Sequence, residues 1–308
     1  MARAAQRILF RYVGERRMKK VKSVLAEVMY SLHRIGLFPN PIKIQTMDET
    51  LDELIHTKKS MIRVGDGEMT LVRGADIPSQ KRNHEIGEKI KSLMKYEHDN
   101  LIIALPDIFN DLEEYHEKAK SFWKEHLFFH RRYYRSYCNR DKTYGQAFVT
   151  RGYYILSDKS PSAGWFAKIK KIWTDKDIVI VEGAVTHNGV GNDLFGAASS
   201  ISRIICPSQN AIEVYDEILT ACGCHSIDCL FIVSLGATAK LLVEDLFLKG
   251  YRALDMGNVD MEYEWFLRKA EGKLALEKNS ITSYKANEAA GYTGYLAQIV
   301  KVVGVSEF

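Results

Sequence analysis

The feature that most constrains this chain is a set of short apolar runs, each separated from the next by a helix-length segment. The runs lie at 61–64, 101–105, 147–150, 178–181, 201–206, 229–235 and 252–256. Between them, apolar residues recur at helical spacing, as in Ile86, Ile90, Leu93 and Met94. Strands that carry apolar residues on both faces, alternating with helices of ten or more residues, predict a mainly parallel sheet. The expected fold is therefore α/β and Rossmann-like, with helices on both faces. At 308 residues and 46% hydrophobic, the chain can bury one large core. No repeat, low-complexity tract or linker follows residue 45. The domain reading is a helical segment, 1–45, and a catalytic domain, 46–308.

Local signals mark several helix ends. Thr46 or Asp48 is placed to cap a helix over 46–57. Asn83 opens 83–95, and Gly250 closes the helix that ends near Leu248. A long aromatic, arginine-rich segment, 108–137, also reads as helical. Its mixture of rings and guanidinium groups suits helix packing, a sugar-binding wall or base stacking. The net charge of +4 is modest, and the basic excess is local, so nucleic acid is not the expected partner.

That local excess is N-terminal. Arg3, Arg7, Arg11, Arg16, Arg17, Lys19, Lys20 and Lys22 face one acid, Glu15. Residues 1–40 read as a basic amphipathic helix, ended by Pro39 and Pro41. Two uses stay open: packing on the main domain, or peripheral contact with an anionic membrane. No run approaches the roughly 20 apolar residues of a membrane span, and no signal-peptide pattern follows the basic start. The expected location is cytoplasmic. The five cysteines include no CxxC pair, which disfavours structural zinc and fits reduced, partly buried thiols.

The chemistry concentrates in segments that follow strands. Arg63-Val-Gly65-Asp66-Gly67-Glu68 places two carboxylates two residues apart on a turn loosened by glycine, where they can face a hard divalent cation. A second segment runs from Glu182 through Thr186, His187, Gly191, Asn192 and Asp193 to Phe195. A third is Ser234-Leu-Gly236-Ala-Thr238-Ala, which opens a helix and offers amides to a phosphate. The fourth, from Asp255, carries Asn258, Asp260, Glu262 and Glu264. In a parallel sheet all four can lie on one edge. An acid pair of this kind is also common as a solvated or capping pair. His187 is placed as a ligand or base, while His98, His116 and His126 fall at helix-surface positions. The absence of GxGxxG argues against a dinucleotide oxidoreductase.

Taken together, these motifs are similar to those of the GT-D type glycosyltransferases, a family formerly called domain of unknown function 1792 and found in bacterial glycan and adhesin-glycosylation clusters. The resemblance spans about residues 45–300. It rests on Arg-x-Gly-Asp-Gly-Glu at 63–68, Thr150-Arg151, Glu182-Gly183 with 189–195, Arg203 to Pro207, Gly236-x-Thr-Ala239 and 255–266. It implies a nucleotide-sugar fold, a UDP-sugar donor (UDP-glucose in the known case), a glycan acceptor, lipid-linked or on a glycoprotein, and Mn²⁺ or Mg²⁺ at Asp66 and Glu68. Where the family usually reads Asp-x-Gly-His-x-Asp, this chain has Asn258 in place of the histidine.

Each site residue has an expected role on that basis. Arg63 or Arg151 pairs with phosphate oxygens. Thr238 and the amides near it, from Gly236, support the diphosphate or uridine, and Gly65, Gly67, Thr150 and Asn258 also bind substrate. Asn192 and Asp193 contact sugar or ribose hydroxyls, and Glu182 and Gly191 belong to the substrate-binding set. Asp193 or Asp260 deprotonates the acceptor hydroxyl. The rival functions are a metal-dependent phosphoesterase and a non-catalytic nucleotide-sugar-binding subunit.

Overall fold

A computed structural model describes residues 15–37, 42–279 and 291–305. The strands are β1 (Lys43–Ile44), β2 (Ser60–Arg63), β3 (Leu101–Leu105), β4 (Thr143–Gln146), β5 (Asp177–Gly183), β6 (Ser200–Cys206), β7 (Leu230–Ser234), β8 (Arg252–Asp255) and β9 (Ile299–Val302). They form a nine-stranded sheet in the order β1-β4-β3-β2-β8-β7-β5-β6-β9. Every pairing is parallel.

The helices are α1 (Glu15–Arg34), α2 (Met47–His56), α3 (Asp66–Val72), α4 (His84–Lys95), α5 (Glu117–Tyr137), α6 (Ser162–Ile172), α7 (Tyr215–Cys222), α8 (Thr238–Leu248), α9 (Val259–Leu267) and α10 (Tyr292–Ala297). They cover both faces of the sheet, and the pleat sorts the strand residues between two cores. Ile62, Ile103, Val179 and Phe231 join Met69, Ile86, Trp123 and Leu242 on one face. Met61, Ile102, Ile178 and Ile232 join Leu51, Phe166, Trp173 and Tyr263 on the other.

Several local signals act as read. Thr46 forms a full capping box with Glu49, and Asn83 caps α4 through Ile86 N–H. Three expectations are corrected. Residues Ala147–Thr150 form a 3-10 helix, and the strand precedes them as Thr-Tyr-Gly-Gln, a sequence without an apolar run. The helix in 108–137 begins only at Glu117, with His116 as its cap. β1 and β9 add two strands to those expected. Both lie at the sheet's edges, and Val300 and Val302 of β9 stay exposed, so burial leaves no clear pattern there.

α1 packs along α5: Tyr30 and Ala26 face inward, and Lys124 pairs with Glu27 at 2.7 Å. Residues 1–14 and 38–41, which carry much of the basic N-terminus and both prolines, lie outside the described residues. No described helix is long and apolar enough to cross a membrane.

β2 and β8 are neighbours in the sheet, though far apart in sequence. From β2 the chain winds outward through β3 and β4, and the strands of the other half lie on the opposite side of this junction. Ligands in open α/β sheets gather at the carboxyl ends of strands where the order reverses. The site is found there.

Candidate active site

At the junction, two cations and two anions from four elements interlock. Arg63, the last residue of β2, donates from Nη2 to Asp255 Oδ1 at 2.9 Å, from Nε to Asp255 O at 2.7 Å and from Nη1 to Thr150 Oγ1 at 2.6 Å. Lys240, in the first turn of α8, reaches Glu68 Oε1 at 2.8 Å, Asp255 Oδ2 at 3.0 Å and Gly236 O at 3.0 Å. Glu68 Oε2 accepts from Gly65 N–H at 2.8 Å, which caps α3. Gly257 has a φ of +46°, and a β-carbon there would run into the Arg63 guanidinium, so only glycine admits this packing.

Asp255 and Lys240 are almost fully buried. Burial opposes ionisation of Asp255, but the Arg63 and Lys240 charges prevail and hold its carboxyl below the usual range. Burial likewise opposes charge on Glu68, and Lys240 overcomes it. Burial would lower the Lys240 ammonium, but Asp255 and Glu68 outweigh that and raise it. Asp255, Glu68 and Lys240 therefore stay charged, and with the Arg63 guanidinium the charges cancel.

Asp66 differs. It is the first residue of α3, half-buried, and its carboxylate forms no hydrogen bond or ion pair among the described residues. It lines two adjoining cavities. The first, of about 600 Å³, is also lined by Arg63, Gly65, Gly67, Glu68, Arg151, Gly236, Lys240 and Asn258. The second, of about 610 Å³, is walled by Phe122, Trp123, Tyr154 and Trp265. Arg151 and Asn258 line both.

The structure thus brings together Arg63, Gly65, Asp66, Gly67, Glu68, Arg151, Gly236 and Asn258. Thr150 stands behind Arg63, and Thr238 is buried as the first residue of α8. Because Arg63 spends its fork on Asp255 and Thr150, Arg151 is the guanidinium left to face a ligand.

The remaining expected residues are placed elsewhere. Glu182 is fully buried; one oxygen pairs with Arg203 at 2.5 Å, and the other accepts from Asn188 N–H at 2.8 Å. Burial raises its carboxyl despite the Arg203 charge. Asp260 is 1% exposed, pairs with Lys278 at 2.7 Å and accepts from Gly189 N–H and Asn192 Nδ2. It ties the 186–195 loop to α9 and has no open face toward a substrate. Asp193 is on the surface, bonded to Lys170 at 2.7 Å and to the Tyr263 hydroxyl at 2.5 Å. Gly191, Asn192 and Asp193 line a different hollow, with Tyr295 and Gln298. His187 is buried beside Tyr292 and Tyr295, and His126 is buried in α5 against His130 and Tyr134 rather than at the helix surface.

Sequence reasoning missed Lys240, whose one signal is a lone charge in the apolar run Ala-Lys-Leu-Leu-Val. It also left Asp255 without a role. Among the described residues, no group of three or more His, Cys, Asp and Glu is disposed to hold a metal alone. The donor set still fits a hard divalent cation completed by phosphate and water oxygens. Asp66 is an unspent carboxylate, and a carboxylate has about four lone-pair sites, of which Glu68 uses two.

Comparison with known proteins bears on the family. The chain is 43% identical over 282 residues to a probable glycosyl transferase, Gly, of Streptococcus gordonii, covering 89% of this chain and 41% of that protein. It is 39% identical over 234 residues to the glycosyltransferase GlyD of Streptococcus pneumoniae, covering 76% of this chain and 29% of that one. It therefore spans less than half the length of these curated relatives. Two solved structures align with TM-scores of 0.79, each over 85% of this chain. One, of domain of unknown function 1792 with a distinct glycosyltransferase fold, is 39% identical and covered to 96%. The other, a glycosyltransferase (DUF1792) from Streptococcus sanguinis, is 40% identical and covered to 100%. Residues 61–284 match the family described as glycosyltransferase GT-D fold, and the chain belongs to that family.

Proposed function

We propose that this chain is a metal-dependent glycosyltransferase that moves a hexose, glucose in the first instance, from a UDP-sugar to a glycan acceptor in bacterial polysaccharide or glycoprotein glycan synthesis. The observation that carries it is the unpaired Asp66 carboxylate at the meeting of two cavities. The one beside it is lined by Arg151, Gly236 and Lys240, as a diphosphate requires. Asp66 and Glu68 would hold Mn²⁺ or Mg²⁺. A cation bound there would neutralise the charge that develops on the departing diphosphate.

The chain's own groups do the rest. The Arg151 fork pairs with phosphate oxygens. The Arg63–Asp255–Lys240–Glu68 lattice fixes Glu68 and the start of α3, so that Asp66 meets the ligand without reorganisation. Asn258 offers an amide where a histidine is usual. Residues 46–308 form the catalytic domain in this reading. The N-terminal segment before it includes the basic helix α1, which packs on α5 and would also offer peripheral contact with the inner, cytoplasmic face of a membrane, while β1 joins the sheet of the domain.

UDP release from a panel of UDP-sugars with Mn²⁺ and a glycan acceptor tests this. Asp66→Ala should abolish release with the fold intact. Full activity in that variant would overturn the proposal. Steady release of UMP or inorganic phosphate without an acceptor would favour a phosphoesterase, and donor binding without turnover a non-catalytic subunit.

A further inference from the structure

The second cavity bears on the acceptor, a role that rests on the glycosyltransferase reading. We infer that the cleft walled by Phe122, Trp123, Tyr154 and Trp265 is the acceptor subsite, and that it takes a sugar linked to phosphate, hydroxyl inward and anion at the mouth.

Three features carry this. The first is position. The cleft shares Asp66, Trp123, Arg151 and Asn258 with the diphosphate cavity, so a group leaving one enters the other directly. Its volume, about 610 Å³, is within the range of small-ligand sites. The second is the wall. Aromatic rings offer flat apolar faces to the C–H face of a pyranose while the hydroxyls bond at the edges.

The third is the charge it carries. Its buried part holds carboxylates, with Arg151 beside them. Besides Asp66 there is Glu262, 4% exposed, whose Oε2 accepts from Tyr154 N–H at 2.8 Å. Burial raises that carboxyl, so Glu262 retains an affinity for a proton. The mouth holds cations. Lys118 and Lys273 are exposed, line the cleft and form no ion pair among the described residues. The Lys273 ammonium lies 5.1 Å from the Tyr154 ring centre, above the wall on which a sugar would rest. A neutral sugar would use the floor and leave these lysines idle, whereas a sugar phosphate engages both ends.

α5 places a lipid-linked source within reach. Lys118, Ala119, Phe122 and Trp123 face the cleft, while Glu117, Lys120, Ser121 and Lys124 of the same helix line the groove with α1. α1 exposes Val21, Val24, Leu25 and Val28 at helical spacing, with Val24 and Val28 at the edge of that groove. A sugar hanging from a lipid diphosphate would meet the mouth one helix away from this apolar stripe. A free sugar phosphate would present the same anion.

The test uses the full chain with short alkyl glycosides of glucose, galactose and N-acetylglucosamine, each with and without a diphosphate between alkyl group and sugar. The diphosphate forms should bind at least about tenfold more tightly by calorimetry and show a correspondingly lower acceptor KM. Lys118→Ala combined with Lys273→Ala should erase that preference and leave the neutral glycosides unchanged. Phe122→Ala, at an exposed position, should weaken both forms alike. An unaltered preference in the double lysine variant would overturn the assignment, as would equal binding of the two forms by the unmodified protein. Tight, lysine-dependent binding without any transfer would sink the enzymatic reading and leave the subsite standing. Presentation of a long-chain diphosphate in anionic vesicles separates the sources. A rate gain there that disappears when Val24 and Val28 are both changed to Ser assigns the lipid; equal rates assign the free sugar phosphate.

Discussion

Two carboxylates, Asp66 and Asp260, occupy the same kind of position: each is at the start of a helix that follows a strand, in a motif rich in glycine. Their surroundings are opposite. Asp260 has Lys278, Gly189 N–H and Asn192 around it and almost no exposure. Asp66 has no partner among the described residues and opens on two cavities. A buried acid held by an ion pair and two hydrogen bonds keeps structure together, and an acid left unspent at a strand end is available for chemistry. The Arg63–Asp255–Lys240–Glu68 lattice stands between them, buried and paired but forming the wall of a cavity.

The sharpest break of this comparison is a pair of substitutions. Asp66→Ala should lower transfer by at least about 10²–10³-fold and leave stability within about 0.5 kcal/mol. Asp260→Ala should cost about 1–3 kcal/mol, because it leaves Gly189 N–H without its partner while Lys278 keeps Glu264 and Val190 O, with activity falling only as the folded fraction falls. Urea denaturation and initial rates on both variants would check this. Reversed outcomes would mean that the two acids have been assigned the wrong way round.

Acid unfolding probes the lattice. The folded values of Glu68 and Asp255 lie below their unfolded values of 4.5 and 3.8, so their stabilisation is complete above those values and is lost as pH falls through the lower folded ones. The His126 and His130 rings act earlier. Burial lowers both, so below about 6.5 the unfolded chain takes up protons that the folded chain refuses, and stability declines. The urea midpoint should fall gently below about pH 6.5 and steeply below about pH 4.5. In Lys240→Met the steep part should be blunted, since the cation that depresses Glu68 is gone.

The smallest effect belongs to Asp193. Its carboxylate is 71% exposed, and its pairing with Lys170 is a surface one. Asp193→Asn should cost about 0.2–1 kcal/mol and leave transfer unchanged in the UDP-release assay. A large loss of transfer would return Asp193 to the catalytic group.

These contrasts also show how much of the molecule its residues disclose on their own. The parallel sheet is legible because β3, β5 and β7 carry apolar runs buried on both faces, with shorter ones in β2 and β8. β4 and β9 are not: one reads Thr-Tyr-Gly-Gln, and the other lies exposed at an edge. Within the site, local motifs place Asp66, Glu68, Gly65 and Gly236 together. They also group Asn192, Asp193, Asp260 and Glu182 with them, since proximity to a strand end does not reveal which way a side chain turns or what consumes its lone pairs. Lys240 escapes because its partners, Glu68 and Asp255, come from segments outside its own helix and strand, one of them far away in sequence.

The Arg63–Asp255 bond joins residues separated by 192 positions. A growing polypeptide that has emerged only as far as β5 would carry Asp66 and Glu68 but neither Asp255 nor Lys240. Loop closure of that length is slow to arrive, so the lattice belongs to the final stage of folding. Partly made chains would therefore be inert toward nucleotide sugars, and competence would come only with the docking of the two halves of the sheet.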